Sequence, residues 1–149
     1  MLYDRIWIEE NIPHKLNMCL LDNVLSFSEN MLVCDTRTHQ MSNHPLALEN
    51  GVLGAMTGIE YAAQAMAIHG VLVREAEGNP IKPKKGYLVS VRDVTSAIDR
   101  LDCIRSIITV SVTKIAGDIR MLIYDFELIE QGNIILSGRA SVIPDADQS

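Results

Sequence analysis

The chain has 149 residues, 48% of them hydrophobic and 21% charged, which supplies a sizeable core and excludes a disordered segment. Nineteen acidic against thirteen basic side chains give a net charge of -6, and no run of lysines or arginines is long enough to neutralise a phosphate backbone, so nucleic acid is excluded as a partner. Three widely spaced cysteines, Cys19, Cys34 and Cys103, form no CxxC pair and no even disulfide set, which points to a reducing, cytoplasmic setting.

One domain over residues 1–149 is expected. Residues 1–11 carry Asp4, Glu9 and Glu10 and lack the apolar run of a signal peptide. Residues 18–27 and 31–36 read as two short strands joined by the polar turn Ser28-Glu29-Asn30. An irregular stretch over 41–51 follows, containing His44-Pro45 and ending on the turn signal Asn50-Gly51.

Residues 52–73 then form the longest feature, read as a buried helix. Alanines alternate there with Met56, Met66, Ile68, Val71 and Leu72 around the whole circumference, and only Glu60 and His69 can carry charge. A membrane span is disfavoured, because Thr57, Glu60, Gln64 and His69 interrupt the run.

Beyond Gly78, Pro80 and Pro83 the periodicity changes to two, with strands expected over 88–101, 104–115, 119–130 and 133–143. Ala116-Gly117-Asp118 and Gln131-Gly132-Asn133 supply hairpin turns, so an antiparallel meander is implied. Ile108, Val110 and Val112 alternate with Thr109, Ser111 and Thr113, giving a core side and a wetter side. The class is α+β: a curved antiparallel sheet wrapped about one helix that must be covered all round. A mean hydropathy of +0.13 further implies apolar surface buried against a second copy, hence a homodimer or an oligomer of dimers.

Among ionisable residues Glu60 stands out, since a lone carboxylate in an apolar helix is costly unless paired, neutral or useful; the plain alternative is a carboxylate that reaches solvent. His44 lies on a loop beside a rigid element, where acid–base residues concentrate, although loop histidines are usually solvated. His14, His39 and His69 have that same reading. Gly54 and Gly58 flank the helix start, where free backbone N–H groups can meet a developing oxyanion, or where small residues let strands pack closely. No spacing of a metal site, nucleotide loop or nucleophile elbow is present.

Ile12-Pro13-His14-Lys15 followed by Leu20-Leu21-Asp22-Asn23-Val24 resembles the Pro-His-Arg…Leu-Val-Asp-Arg-Val signature of bacterial 3-hydroxyacyl-[acyl-carrier-protein] dehydratases of the hotdog fold. Glu60-Tyr61-Ala62-Ala63-Gln64 is similar to that family's Glu-Ala-Met-Ala-Gln on the central helix, with His44-Pro45 as its histidine loop and Gly51-Val52-Leu53 as its Pro-Gly-Val-Leu run. The wording from Gly58 to Gln64 is closer still to the dehydratase-like branch of aryl-polyene and polyketide pathways. The chain departs from the pattern at Asn17, which replaces a proline, and His44 and Glu60 stand further apart than usual.

The resemblance implies removal of water from a 3-hydroxyacyl thioester, carried on acyl carrier protein or coenzyme A, to give the trans-2-enoyl thioester. It implies that His44 abstracts the C2 proton, that Glu60 protonates the leaving hydroxyl, and that Gln64 orients Glu60 or a water. The resemblance further implies that the Ala55 backbone N–H, rather than that of Gly51, binds the thioester oxygen, with Gly54 beside it at the helix start as a second substrate-binding candidate. No metal or organic cofactor is implied. A hotdog thioesterase, or a non-catalytic acyl-binding subunit, are the competing functions on the same fold. Lys82, Lys84 and Lys85, with Arg74, would form the rim for an acidic carrier protein.

Overall fold

The computed structural model of the chain describes residues 1–12, 18–78, 87–118 and 120–143. Its elements are helix α1 (Arg5–Asn11), strands β1 (Asn23–Phe27) and β2 (Met31–Thr36), helix α2 (Gly58–Ala76), and strands β3 (Tyr87–Ser96), β4 (Ile108–Gly117), β5 (Leu122–Glu130) and β6 (Asn133–Ile143). The strands form one antiparallel sheet in the order β1-β2-β4-β5-β6-β3. Helix α2 packs on β2, β4 and β5. Ala62, Ala65, Met66 and Ile68 there meet a core that includes Leu32, Cys34, Val110, Val112, Tyr124, Phe126 and Leu128. This is the expected α+β hotdog arrangement.

Helix α1 carries no strong sequence signal and was not expected. Asp4 caps it by accepting the Trp7 N–H at 3.0 Å. Arg5 ties it to the chain ahead of β1, donating to the Cys19 carbonyl at 2.6 Å and to Asp22 at 3.1 Å. That preceding stretch, expected to be strand from residue 18, is not strand. The N–H of Leu20 donates to Gln64 Oε1, and its carbonyl accepts from the Thr36 and Thr38 hydroxyls, so side chains take the groups a ladder would have used.

Helix α2 starts six residues later than expected and ends three later. Residues 53–55 pair instead with 99–101: Leu101 N–H donates to the Leu53 carbonyl at 2.7 Å and Ala55 N–H to the Asp99 carbonyl at 2.9 Å. Asp102 accepts the Leu53 N–H and is gripped by Arg100, whose guanidinium holds its carboxyl down at about 2. These contacts also end β3 at Ser96 rather than 101.

The four later strands are not one meander. Only β4, β5 and β6 follow in sequence, joined at the second hairpin by Gln131 and Gly132, which adopt φ of 50° and 81°. Strand β3 lies on the far edge beside β6 instead of beside β4. Its other edge carries no strand among the described residues, and Leu88 and Val89 on it are exposed. Strand β4 begins at Ile108, with Ile108, Val110 and Val112 buried as expected and Thr109 and Thr113 half-buried, although Ser111 is buried too.

Helix α2 is not covered all round. Met56, just ahead of it, is 49% exposed, Glu60 is exposed, and Ile59, Ala63, Ala67 and Gly70 are half-buried, so among the described residues one face is left partly uncovered. An alanine-rich composition hides this, because small side chains look apolar on every face. At the helix start Gly58 serves close packing. A Cβ there would lie 2.5 Å from Leu136 Cδ2 and 2.9 Å from Leu128 Cδ2, both fully buried leucines. Gly58→Val is therefore expected to destabilise the fold by about 2–3 kcal/mol through overpacking, a loss read directly from urea unfolding midpoints. No helix among the described residues is long and apolar enough to cross a membrane.

Candidate active site

His44 sits between two single 3-10 turns, Thr38–Gln40 and Ala55–Thr57, and is buried. Its Nδ1 accepts the N–H of Leu46 at 3.0 Å and its Nε2 lies 2.8 Å from the Tyr61 hydroxyl. Tyr61 Oη is in turn 2.9 Å from Thr38 Oγ1, and Thr38 donates to the Leu20 carbonyl at 2.6 Å. Burial lowers the His44 pKa, with nearby His39 adding to the effect, and burial pushes the Tyr61 phenol up to about 12. At neutral pH the ring is uncharged and the phenol protonated.

Glu60 occupies the first turn of α2 and is exposed, so of its two readings the carboxylate that reaches solvent holds, with no hydrogen bond or ion pair among the described residues. Adjacent helical positions diverge, so Tyr61 turns into the core toward His44 while Glu60 turns out. Gln64 is buried and both ends of its amide are used: Oε1 accepts from Leu20 N–H at 2.8 Å and Nε2 donates to the Met18 carbonyl at 2.6 Å. Within the chain it clamps residues 18–20 and is not bonded to Glu60.

The two backbone positions at the helix start also differ. The Ala55 N–H is spent on the Asp99 carbonyl. Gly54 pairs with Arg100 in the non-hydrogen-bonded register, so its own N–H points away from that neighbour and makes no hydrogen bond among the described residues. No atom lies within 4 Å of the place a Gly54 Cβ would take. Of the two, Gly54 has the unspent backbone donor among the described residues.

His39 and His69 are buried, against the expectation that they are solvated. His69, on α2 itself, accepts from the Tyr124 hydroxyl on Nδ1 at 2.8 Å and donates from Nε2 to the Ser28 carbonyl at 3.1 Å. His39 donates from Nε2 to the Ser106 carbonyl, and its Nδ1 is buried with no partner among the described residues. His14, Lys82, Lys84 and Lys85 lie outside the described residues.

Burial lowers the pKa of His39, His44 and His69. The unfolded chain thus takes up protons near pH 6.5 before the folded one does, and stability falls as pH drops below about 6.5, by up to about 1.4 kcal/mol per pH unit for each histidine. Unfolding midpoints from pH 8 to pH 5 check this, and His69→Gln should flatten the slope.

Grooves among the described residues lie elsewhere. One of about 490 Å³ runs over the outer sheet face beside Asp125 and Arg139, and one of about 330 Å³ lies by Phe27, Val73 and Ala76. Neither takes in His44, Glu60 or Gly54. Sequence reasoning missed Tyr61, Thr36 and Thr38 as members of the site. Tyr61 stands inside the quoted Glu60–Gln64 motif, where the family pattern has alanine, and that replacement was the available signal.

One long helix packed on a six-stranded antiparallel sheet is the hotdog arrangement, which dehydratases and thioesterases share. The sequence matches the model of the ApeP-like family, described as ApeP dehydratase, over residues 6–149, and the chain belongs to that family. Comparison with curated proteins by sequence gives no match. Among solved structures the fold is similar to the dehydratase heterocomplex ApeI:P from Xenorhabdus doucetiae, with TM-score 0.81 and 20% identity over 91% of this chain and 89% of that one. It is also similar to a thioesterase from Pseudomonas aeruginosa, with TM-score 0.64 and 11% identity over 97% and 95% of the two chains. Zebra fish thioesterase superfamily member 2 matches with TM-score 0.59 and 15% identity over 86% and 83%.

Proposed function

We propose that this dehydratase removes water from a 3-hydroxyacyl thioester, on acyl carrier protein or coenzyme A, with His44 as the base at C2 and Glu60 as the acid at the C3 hydroxyl. The Gly54 N–H binds the thioester oxygen as negative charge develops on it. Gln64 acts one step back, holding residues 18–20 beneath the Tyr61 and Thr38 hydroxyls. Breaking the C2–H bond leaves an enolate. Its collapse forms the C2–C3 double bond and expels the hydroxyl as water with the Glu60 proton, and the proton on His44 then returns to Glu60.

The observation that carries this reading is the opposed placement of the two residues. His44 is buried and faces Tyr61, while Glu60, next to Tyr61 in sequence, is exposed on the uncovered face of α2. One chain does not bring them together, so a second hotdog chain supplies the complement, with His44 of one meeting Glu60 of the other. The β3 edge, which pairs with no second strand among the described residues, and the exposed face of α2 support such a partner. It is a second copy of this chain or, since the similar structure from Xenorhabdus doucetiae is a heterocomplex, a different chain.

The test is incubation of the protein with 3-hydroxyacyl and saturated acyl thioesters while enoyl absorbance and free thiol are followed. Enoyl formation is expected. Thiol release without it would make the protein a thioesterase, and binding with neither would make it an acyl-binding subunit.

A further inference from the structure

The contacts of His44 fix where its proton lies. The Leu46 backbone N–H can only donate, so Nδ1 is an acceptor, and a neutral imidazole with Nδ1 as acceptor carries its hydrogen on Nε2. Nε2–H therefore donates to Tyr61 Oη, Tyr61 donates to Thr38 Oγ1, and Thr38 donates to the Leu20 carbonyl. Tyr61, Thr38 and His44 are all buried, so these bonds run in one direction from the ring into the core. The inward nitrogen is committed. The other, Nδ1, holds a lone pair covered by a single loop N–H.

We propose that His44 takes the C2 proton on Nδ1, and that Tyr61 is the positioning residue that holds the ring through Nε2–H. The assignment rests on the dehydratase reading above. Substrate displaces the Leu46 N–H from the lone pair. The C2–H bond then breaks, its electron pair passes into the enolate, and the new N–H bond turns the imidazole into an imidazolium. Tyr61 Oη accepts from Nε2–H in both charge states, but more strongly from the imidazolium, as a triad's third member does for its histidine. The charge is thus met by an oxygen whose own hydrogen is directed away, toward Thr38. Other titratable groups nearby are His39, from the turn after β2, and, beyond Tyr61, Asp22 and Arg5.

The test has two parts, both on the intact protein with whatever hotdog chain it assembles with. Long-range proton–nitrogen spectra of the ¹⁵N-labelled wild type at neutral pH are expected to show His44 protonated on Nε2; a proton on Nδ1 overturns the proposal whatever the activity. In Tyr61→Phe, kcat should fall at least about tenfold with KM little changed. The acidic limb of kcat/KM should move to lower pH, because the imidazolium has lost its acceptor. A merely structural tyrosine would lower the unfolding midpoint and leave that limb in place, and a folded variant with unchanged kcat and limb overturns the role. Should Tyr61→Phe fail to fold, Thr38→Val, which removes the next acceptor, is expected to move the limb the same way by less, and an unmoved limb overturns the role. A wild type that forms no enoyl thioester refutes the dehydratase reading and the base role with it, whereas the tautomer on the same sample still reports the proton's place.

Discussion

Glu60→Gln is expected to leave the protein folded and to lower dehydration by about a hundredfold or more, the usual weight of a positioned general acid. The amide has nearly the shape of the carboxyl group but no acidic proton to give to the C3 hydroxyl. Stability should hardly change, because Glu60 is exposed and makes no hydrogen bond or ion pair among the described residues, and such surface substitutions stay within about 0.5 kcal/mol. Single-turnover enoyl formation and the urea midpoint, measured on one preparation, separate the roles. A lowered midpoint with rate intact would make Glu60 a structural residue of an interface. Parental values of both would remove it from the mechanism.

The sequence made the architecture legible where local pattern and tertiary fold agree. Strand β6 and the Gln131-Gly132 hairpin lie where alternation and turn chemistry put them, because a two-residue turn and its flanking strands are settled within a dozen residues. Legibility failed where a distant side chain replaced a local partner. Leu20 looks like strand, yet its backbone is satisfied by Gln64, 44 residues on, and by two threonine hydroxyls. Residues 53–55 look helical, yet they pair with 99–101. The place of β3 beside β6 is likewise invisible to periodicity, which reports faces and not neighbours.

The candidate site divides in the same way. The Glu60–Gln64 spacing and the His44 loop could be picked out as chemistry, but not which way each side chain turns. The inward course from His44 through Tyr61 and Thr38 to Leu20 depends on three separate segments meeting, and the outward course of Glu60 depends on a face of α2 left exposed among the described residues.

That uncovered face leads to the second large effect. His44→Ala and Glu60→Ala should each abolish turnover, and co-expression of the two variants should restore part of it. If the active unit is a dimer of this chain with each site shared, random mixing makes half the dimers heterodimers, and each heterodimer has one site with both residues and one with neither, so about a quarter of parental activity returns. Neither substitution should prevent pairing, since His44 faces its own core and Glu60 presents no packed apolar surface. Native mass spectrometry of differently tagged variants shows whether heterodimers form. Heterodimers without regained activity would place both residues in one chain's site. If no pairing of copies occurs and turnover depends on a different hotdog chain, complementation should instead follow which chain carries the missing residue. Adding the partner with its own glutamate would rescue Glu60→Ala, and adding the partner with its own histidine would rescue His44→Ala.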